Sequence, residues 1–189
     1  MRRLISGLAV AGALLAATAC QDSSVTTTPT TAKASTGTTA GTAKASPAAA
    51  KKAAIGDTIT VTGNETGEKL DVTVTKWADP AKSSEEVFAP EAGKRWVAAQ
   101  LQLVNTGSAV YSDSPSNGMQ VADEQGQRFG TMAADVTAGP SMAASLKVPP
   151  GDKALGWIVF EVPKDSKITT IQFAMNSGFA DQTAQWAIK

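Results

Sequence analysis

From Thr58 to Ile188, apolar and polar side chains alternate mostly with a period of two. That rhythm commits the chain to strands with one dry face and one wet face. Ile59 and Val61 alternate with Thr58, Thr60 and Thr62, and Leu70, Val72 and Val74 with Asp71, Thr73 and Thr75. In "RWVAAQLQLVN" (95–105), Val97, Ala99, Leu101 and Leu103 share one face, while Trp96, Gln100 and Gln102 fall on the other. "LGWIVFEV" (155–162) is apolar on both faces, as a central strand would be, and "ITTIQFAM" and "TAQWAI" read as the last two strands. Turn chemistry separates these runs at Asn105-Thr106-Gly107, Asp123-Glu124-Gln125-Gly126 and Pro149-Pro150-Gly151-Asp152, where Gly reaches positive φ and Pro presets the bend. "MQVADEQGQRF" (119–129) reads as a hairpin. The long connection 78–94 is irregular, with a helical turn expected around Ser84–Val87. The pattern predicts an all-β fold, an antiparallel β-sandwich over residues 55–189, with Val72, Val74, Val97, Leu101, Leu103, Trp157, Val159, Phe160, Ile171 and Phe173 as its core.

The first 54 residues are a different material. Met1-Arg2-Arg3 is followed by an uncharged apolar run over 4–19, ending in Ala17-Thr18-Ala19 before Cys20. That run is shorter than the roughly 20 residues that span a bilayer, and with its basic start it reads as a signal peptide over 1–19. Cys20 is the single cysteine of the chain. The residues before it resemble the lipobox of bacterial lipoproteins, although Ala17 stands where leucine is usual. That resemblance implies a diacylglyceryl group on Cys20 and attachment to the membrane. Two acyl chains hold firmly where one binds reversibly, at about 0.8 kcal/mol per buried methylene. An ordinary secretory signal cut nearby would instead leave a free, reactive thiol. Residues 21–54 are dominated by Thr, Ala, Ser, Gly and Pro without an aromatic, so they are expected to form a disordered tether. Its extended reach would be about 110 Å. O-linked sugars on its Thr and Ser residues are an open alternative to a bare spacer.

Three segments carry a family resemblance: "AGKRWVAAQLQLVNTGS" (92–108), "MQVADEQGQRF" (119–129) and "VPPGDKALGWIVFEVPKD" (148–165). Together they resemble the telokin-like, immunoglobulin-fold domain of unknown function found in secreted lipoproteins of Gram-positive bacteria. The pattern is a strand ending in N-T-G, a D-x-x-G hairpin, then P-G-D and a G-x-x-x-F-x-V-P strand. The resemblance implies an immunoglobulin-like sandwich on a lipid-anchored stalk, and it implies no known reaction and no catalytic residues.

The available chemistry is narrow. The chain has no histidine and no cysteine beyond Cys20, which removes Ser-His-Asp and Cys-His catalysis and sites built on His or Cys ligands. Residues 55–189 carry 11 basic and 16 acidic side chains, a balance of −5, and so lack the basic footprint that nucleic acid needs. The tether, with Lys33, Lys44, Lys51 and Lys52 against Asp22, is weakly basic and suits an anionic lipid surface. Asp79, Glu85, Glu86 and Glu91 cluster in the long connection, where a pair could do acid/base work or hold calcium, although their spacing matches no calcium loop. Asp113, Ser116 and Asn117 read as an Asx-type turn. Met132 and Met142 could bind Cu(I) through their thioethers or simply fill gaps. Trp96, on the outward face of its strand, marks either an exposed apolar patch for a partner or sugar ring, or a residue covered by the folded-back 78–94 connection.

These features point to a non-enzymatic, lipid-anchored binding or adhesion module on the outer face of the cytoplasmic membrane. Its partner would be a cell-wall glycan or protein, and it would need no cofactor or metal. The alternatives are a carboxylate-dependent wall hydrolase centred on Glu85, Glu86 or Glu91, and a structural or antigenic surface protein without a specific ligand.

Overall fold

A computed structural model describes residues 53–189. The signal peptide expected over 1–19, Cys20 and the tether as far as residue 52 lie outside the described residues. Eleven strands follow in chain order: β1 (Ala53–Ala54), β2 (Thr58–Thr62), β3 (Lys69–Ala78), β4 (Lys94–Asn105), β5 (Tyr111–Asp113), β6 (Met119–Asp123), β7 (Arg128–Met132), β8 (Leu146–Val148), β9 (Lys153–Pro163), β10 (Ile168–Ala174) and β11 (Thr183–Ala187). Ala53 and Ala54, expected at the end of the tether, pair in parallel with Trp186 and Ala187. The folded domain therefore begins two residues before the expected boundary.

The strands run β1-β11-β10-β6-β7-β9-β4-β3-β2 across one folded sheet, beside a separate β5–β8 ribbon. The turn from one layer of the sandwich to the other is made by β7. Its first half, Arg128–Gly130, pairs with Ala122–Gln120 of β6, and its second half, Thr131 and Met132, pairs with Phe160 and Val159 of β9. At the opposite edge the chain passes from β1 to β2 through Gly56 and Asp57. There the Gly56 N–H donates to the Val74 carbonyl at 2.8 Å, and the Trp186 indole N–H to the Asp57 carbonyl at 2.9 Å. The result is an all-β sandwich tied along both edges.

Alternation places the core as the sequence predicts. Val72, Val74, Val97, Leu101, Leu103, Phe160, Ile171 and Phe173 are buried between the layers with Trp186. Trp157 and Val159 are buried too, but in a second cluster on the outer side of the sheet. The turn motifs prove to be clamps. Asn105 is buried at the end of β4, and its side-chain amide donates to the Ala109 and Val148 carbonyls, both at 2.8 Å, while its Oδ1 accepts the Gly107 N–H at 3.0 Å. Its backbone pairs with the Pro-Gly-Asp turn, Gly151 N–H to Asn105 O and Asn105 N–H to Asp152 O. Gly107 is glycine for room, because a Cβ there would stand 2.1 Å from the Gly67 carbonyl oxygen. Asp113 works at the same end, accepting the Ser114 N–H and also the Ser177 hydroxyl and N–H. It therefore joins two distant turns in addition to shaping its own.

Asn105 holds two backbone carbonyls, of Ala109 and Val148, that no other side chain reaches, and gives the Gly107 N–H a second acceptor beside the Lys69 carbonyl. Truncation strands buried polar groups at about 1–3 kcal/mol each, less whatever water recovers. Asn105→Ala is therefore expected to lower unfolding free energy by about 2–3 kcal/mol in urea titration, against about 0.5 kcal/mol or less for Gln102→Ala on the wetter face of the same strand. Equal effects would contradict the clamp.

Candidate functional site

The outward faces of β4 and β9 carry Trp96, Ala98, Trp157 and Val159, and none of them is wet. Trp96 is 2% exposed and Trp157 5%. Of the two sequence readings of Trp96, the structure gives the one in which the folded-back 78–94 connection covers it, and not the exposed platform for a partner or sugar. Its outward direction is as expected, but loops cover it. The chain leaves β3 and turns back over the sheet, so that the Ala81 N–H donates to the Trp96 carbonyl at 2.8 Å and Ala81 packs in the same cluster as both indoles. The Trp96 indole N–H donates to Glu161 Oε1 directly across the strand pair.

A second loop, residues 133–145, completes the cover. Where β7 ends, Pro140–Met142 takes its place beside β9: the Trp157 N–H donates to the Pro140 carbonyl at 2.9 Å and the Met142 N–H to the Trp157 carbonyl at 2.8 Å. Gly156 makes that approach possible, since a Cβ there would lie 2.4 Å from the Met142 Cα. The two loops then join each other through a Ser83–Val136 bridge, with the Ser84 N–H donating to the Asp135 carbonyl and the Thr137 N–H to the Lys82 carbonyl.

Between the loops and the sheet lies a cavity of about 330 Å³, within the size range of small-ligand sites. Its wall is mainly apolar, built from Phe88, Met132, Met142, Ala134, Ala144, Trp157, Ile158 and Val159. Its polar groups are Ser83, Ser116, Ser141, Glu85 and Asp135. The Trp157 indole N–H is buried and has no partner among the described residues. Phe88 is 59% exposed despite its size.

The carboxylates that the sequence groups together are dispersed. Asp79 is held by Arg95, whose Nε and Nη2 donate to its two oxygens at 2.7 and 2.8 Å. Glu91 pairs with Lys94 at 2.6 Å. Glu86 is exposed and outside the cavity lining, and of the four only Glu85 lines the cavity, where Asp135 joins it from the other loop. The expected helical turn near Ser84–Val87 is a single hydrogen-bonded turn closed by Phe88 N–H to Glu85 O. Met132 and Met142 are brought to the wall of the same cavity. Asp135, Ser141 and Trp157 were not marked as site residues by the sequence. A glycine inside a strand at 156, a position that usually signals a close backbone approach, was the one available hint.

Residues 53–184 match the family described as Domain of unknown function (DUF4352). The chain belongs to that family. Among solved structures this DUF4352 domain is similar to MPT63, a secreted protein of Mycobacterium tuberculosis, at 18% identity and a TM-score of 0.52, over 72% of this chain and 96% of that one. It is similar also to the yjhA protein of Bacillus subtilis, at 13% identity and a TM-score of 0.51, over 72% of this chain and 99% of that one. A candidate lipoprotein of Bacillus subtilis, ycdA, matches at 10% identity and a TM-score of 0.50, over 68% of this chain and 39% of that one. At such identities the likeness is one of fold. No curated protein matches the chain.

Electrostatics pin the covering loop of the DUF4352 domain at one corner. Burial alone would raise the Glu161 pKa, but donation from the Glu91 N–H, the Lys94 ammonium and the Trp96 indole outweighs it and holds the carboxyl below its ordinary value of 4.5. Hydrogen bonds to Glu91 and Glu161 raise Lys94 in turn. A carboxyl whose folded pKa is depressed stabilises the fold fully above its unfolded pKa and loses that contribution as pH falls through the folded value. Glu161→Gln is therefore expected to flatten the loss of stability as pH is lowered below 4.5 in an acid-titrated thermal melt. An unchanged slope would contradict the assignment.

Proposed function

We propose that this chain is a non-enzymatic binding module of the bacterial cell envelope, held on the outer face of the cytoplasmic membrane by a lipid on Cys20 and presenting the cavity over β4 and β9 to a cell-wall glycan or protein. The observation that carries the binding role is the cavity itself: about 330 Å³ and walled mainly by apolar residues, with Ser83, Ser116, Ser141, Glu85 and Asp135 as its polar groups. A largely apolar pocket with a few polar groups is the usual form of a ligand site. The surface role is supported by the basic-apolar-small start of the sequence ahead of Cys20, by the secreted and candidate-lipoprotein relatives of the fold, and by the telokin-like, immunoglobulin-fold motifs. A folded domain of net charge −5 suits neither nucleic acid nor direct adsorption to anionic lipid, so the lipid and tether carry the attachment. Of the four carboxylates that a hydrolase would draw on, Asp79 and Glu91 are occupied in ion pairs, which favours binding over hydrolysis.

Two measurements test this reading. Cys20→Ser is expected to abolish palmitate labelling and either release the protein from membranes or leave it unprocessed; retained label and tight membrane association would contradict the anchor. Crosslinking in intact cells is expected to capture a recurring partner that is lost when Ala144→Trp fills the cavity mouth. Identical crosslinks from the filled and open forms would move the binding surface elsewhere or point to a purely structural role.

A further inference from the structure

We infer that the ligand of this cavity is a small amphiphile with an apolar body and a single cationic head, an alkyl or aryl ammonium in chemical class. The inference rests on the cavity being the binding site, and it adds what kind of molecule fits. Glu85 and Asp135 stand in its lining, one from each covering loop, and no lysine or arginine lines it. Neither carboxylate has an ion-pair partner among the described residues, whose salt bridges are Lys94 with Glu91 and Glu161, Arg95 with Asp79, and Lys167 with Glu124. The Asp135 carboxylate accepts only the Ser141 hydroxyl, and the Ser83 hydroxyl donates to the Glu85 backbone carbonyl and leaves the Glu85 carboxylate free.

The neighbouring chain chemistry makes this arrangement selective. Of the other carboxylates on or beside the covering loops, Asp79 is neutralised by Arg95 and Glu91 and Glu161 by Lys94, while Glu86 is exposed outside the cavity lining. At the cavity the neutralising charge is left to the ligand. The wall beneath the two carboxylates is apolar and polarisable, with Met132, Met142, Phe88 and Trp157. Thioethers adapt to irregular apolar shapes, and aromatic faces attract cations as well as alkyl chains. An anionic amphiphile would meet two uncompensated carboxylates, and a neutral one would leave them without a counter-charge. Like-charge juxtaposition rejects the first strongly and opposite charge favours the cation over the second.

The test uses three probes that share one apolar body: hexyltrimethylammonium, 1-hexanol and hexanoate, titrated into the purified full chain carrying Cys20→Ser. Binding is followed by NMR at the amides of residues 132–135, 141–144 and 157–159 and at the Trp157 indole N–H. The cation is expected to bind about tenfold tighter than the alcohol and the carboxylate weakest, with the gap narrowing at high salt. The double variant Glu85→Gln, Asp135→Asn, both positions exposed and free of core contacts, is expected to bring the cation to the affinity of the alcohol. Equal binding of cation and alcohol to these residues, or preference for hexanoate, would overturn the ligand class while leaving the cavity as a binding site. Absence of shifts at the cavity residues with all three probes would overturn both.

Discussion

Two indoles placed on the outside of a sheet organise this domain. β4 and β9 run antiparallel through the middle of their layer, and alternation sends Val97, Leu101, Leu103 and Phe160 inward but leaves Trp96 and Trp157 pointing out. An indole hides roughly 200 Å² when buried, so leaving both in water would forgo about 10 kcal/mol of gross transfer free energy. That is enough to draw loops onto a face that would otherwise be wet. The long connections 79–93 and 133–145 are ordered by this requirement, and their backbone bonds to Trp96 and Trp157 are its geometric expression. The cavity is what remains where two irregular loops meet a flat sheet.

The sandwich supplies a rigid floor, and the loops supply the variable wall. Asn105 and Asp113 fix the turns around β5 through side-chain clamps, with Gly107 leaving room for the first of them. The covering loops are tied by a handful of backbone bonds and by salt bridges at two places, Asp79 with Arg95 and Lys94 with Glu91 and Glu161. Local opening free energy tracks the density of such ties, so the loop side of the cavity wall has more freedom to adjust to a ligand than its floor on β9. Binding residues commonly sit on loops carried by a stiff scaffold for this reason.

Much of the scaffold was legible in the residues. The period of two located β2, β3 and β4, the hairpin signal located β6 and β7, and the run apolar on both faces located β9. The last two strands, β10 and β11, were read as such, and every residue named for the core is buried. The pieces that escaped are short or depend on distant contacts. β5 and β8 are three residues each and β1 is two, too few to display a period. Trp96 could be assigned its face, and the 78–94 connection was one of two possibilities for it, but the choice stayed open and the share of the cover that comes from Val136, far along the chain, was not visible. The outward apolar residues of "LGWIVFEV" were read as the mark of a central strand, which β9 is, although loops rather than a second sheet cover its outer face. Glu85, Met132 and Met142 drew notice for hydrolysis and for copper, and it is the convergence of the two loops that puts them in one wall.

Hydrogen exchange in the native state tests the covered face most directly. Three amides report on it: Ala81, which donates to Trp96, Ser84, which donates to Asp135, and Met142, which donates to Trp157. If the indoles hold the loops down, these three exchange far more slowly than free loop amides, and Trp96→Ala speeds Ala81 in particular while Leu101 and Phe160 keep their protection. Exchange at unprotected rates at all three positions, with β4 and β9 still protected, would mean that the loops do not lie on the sheet and that the cavity is not a standing feature of the domain.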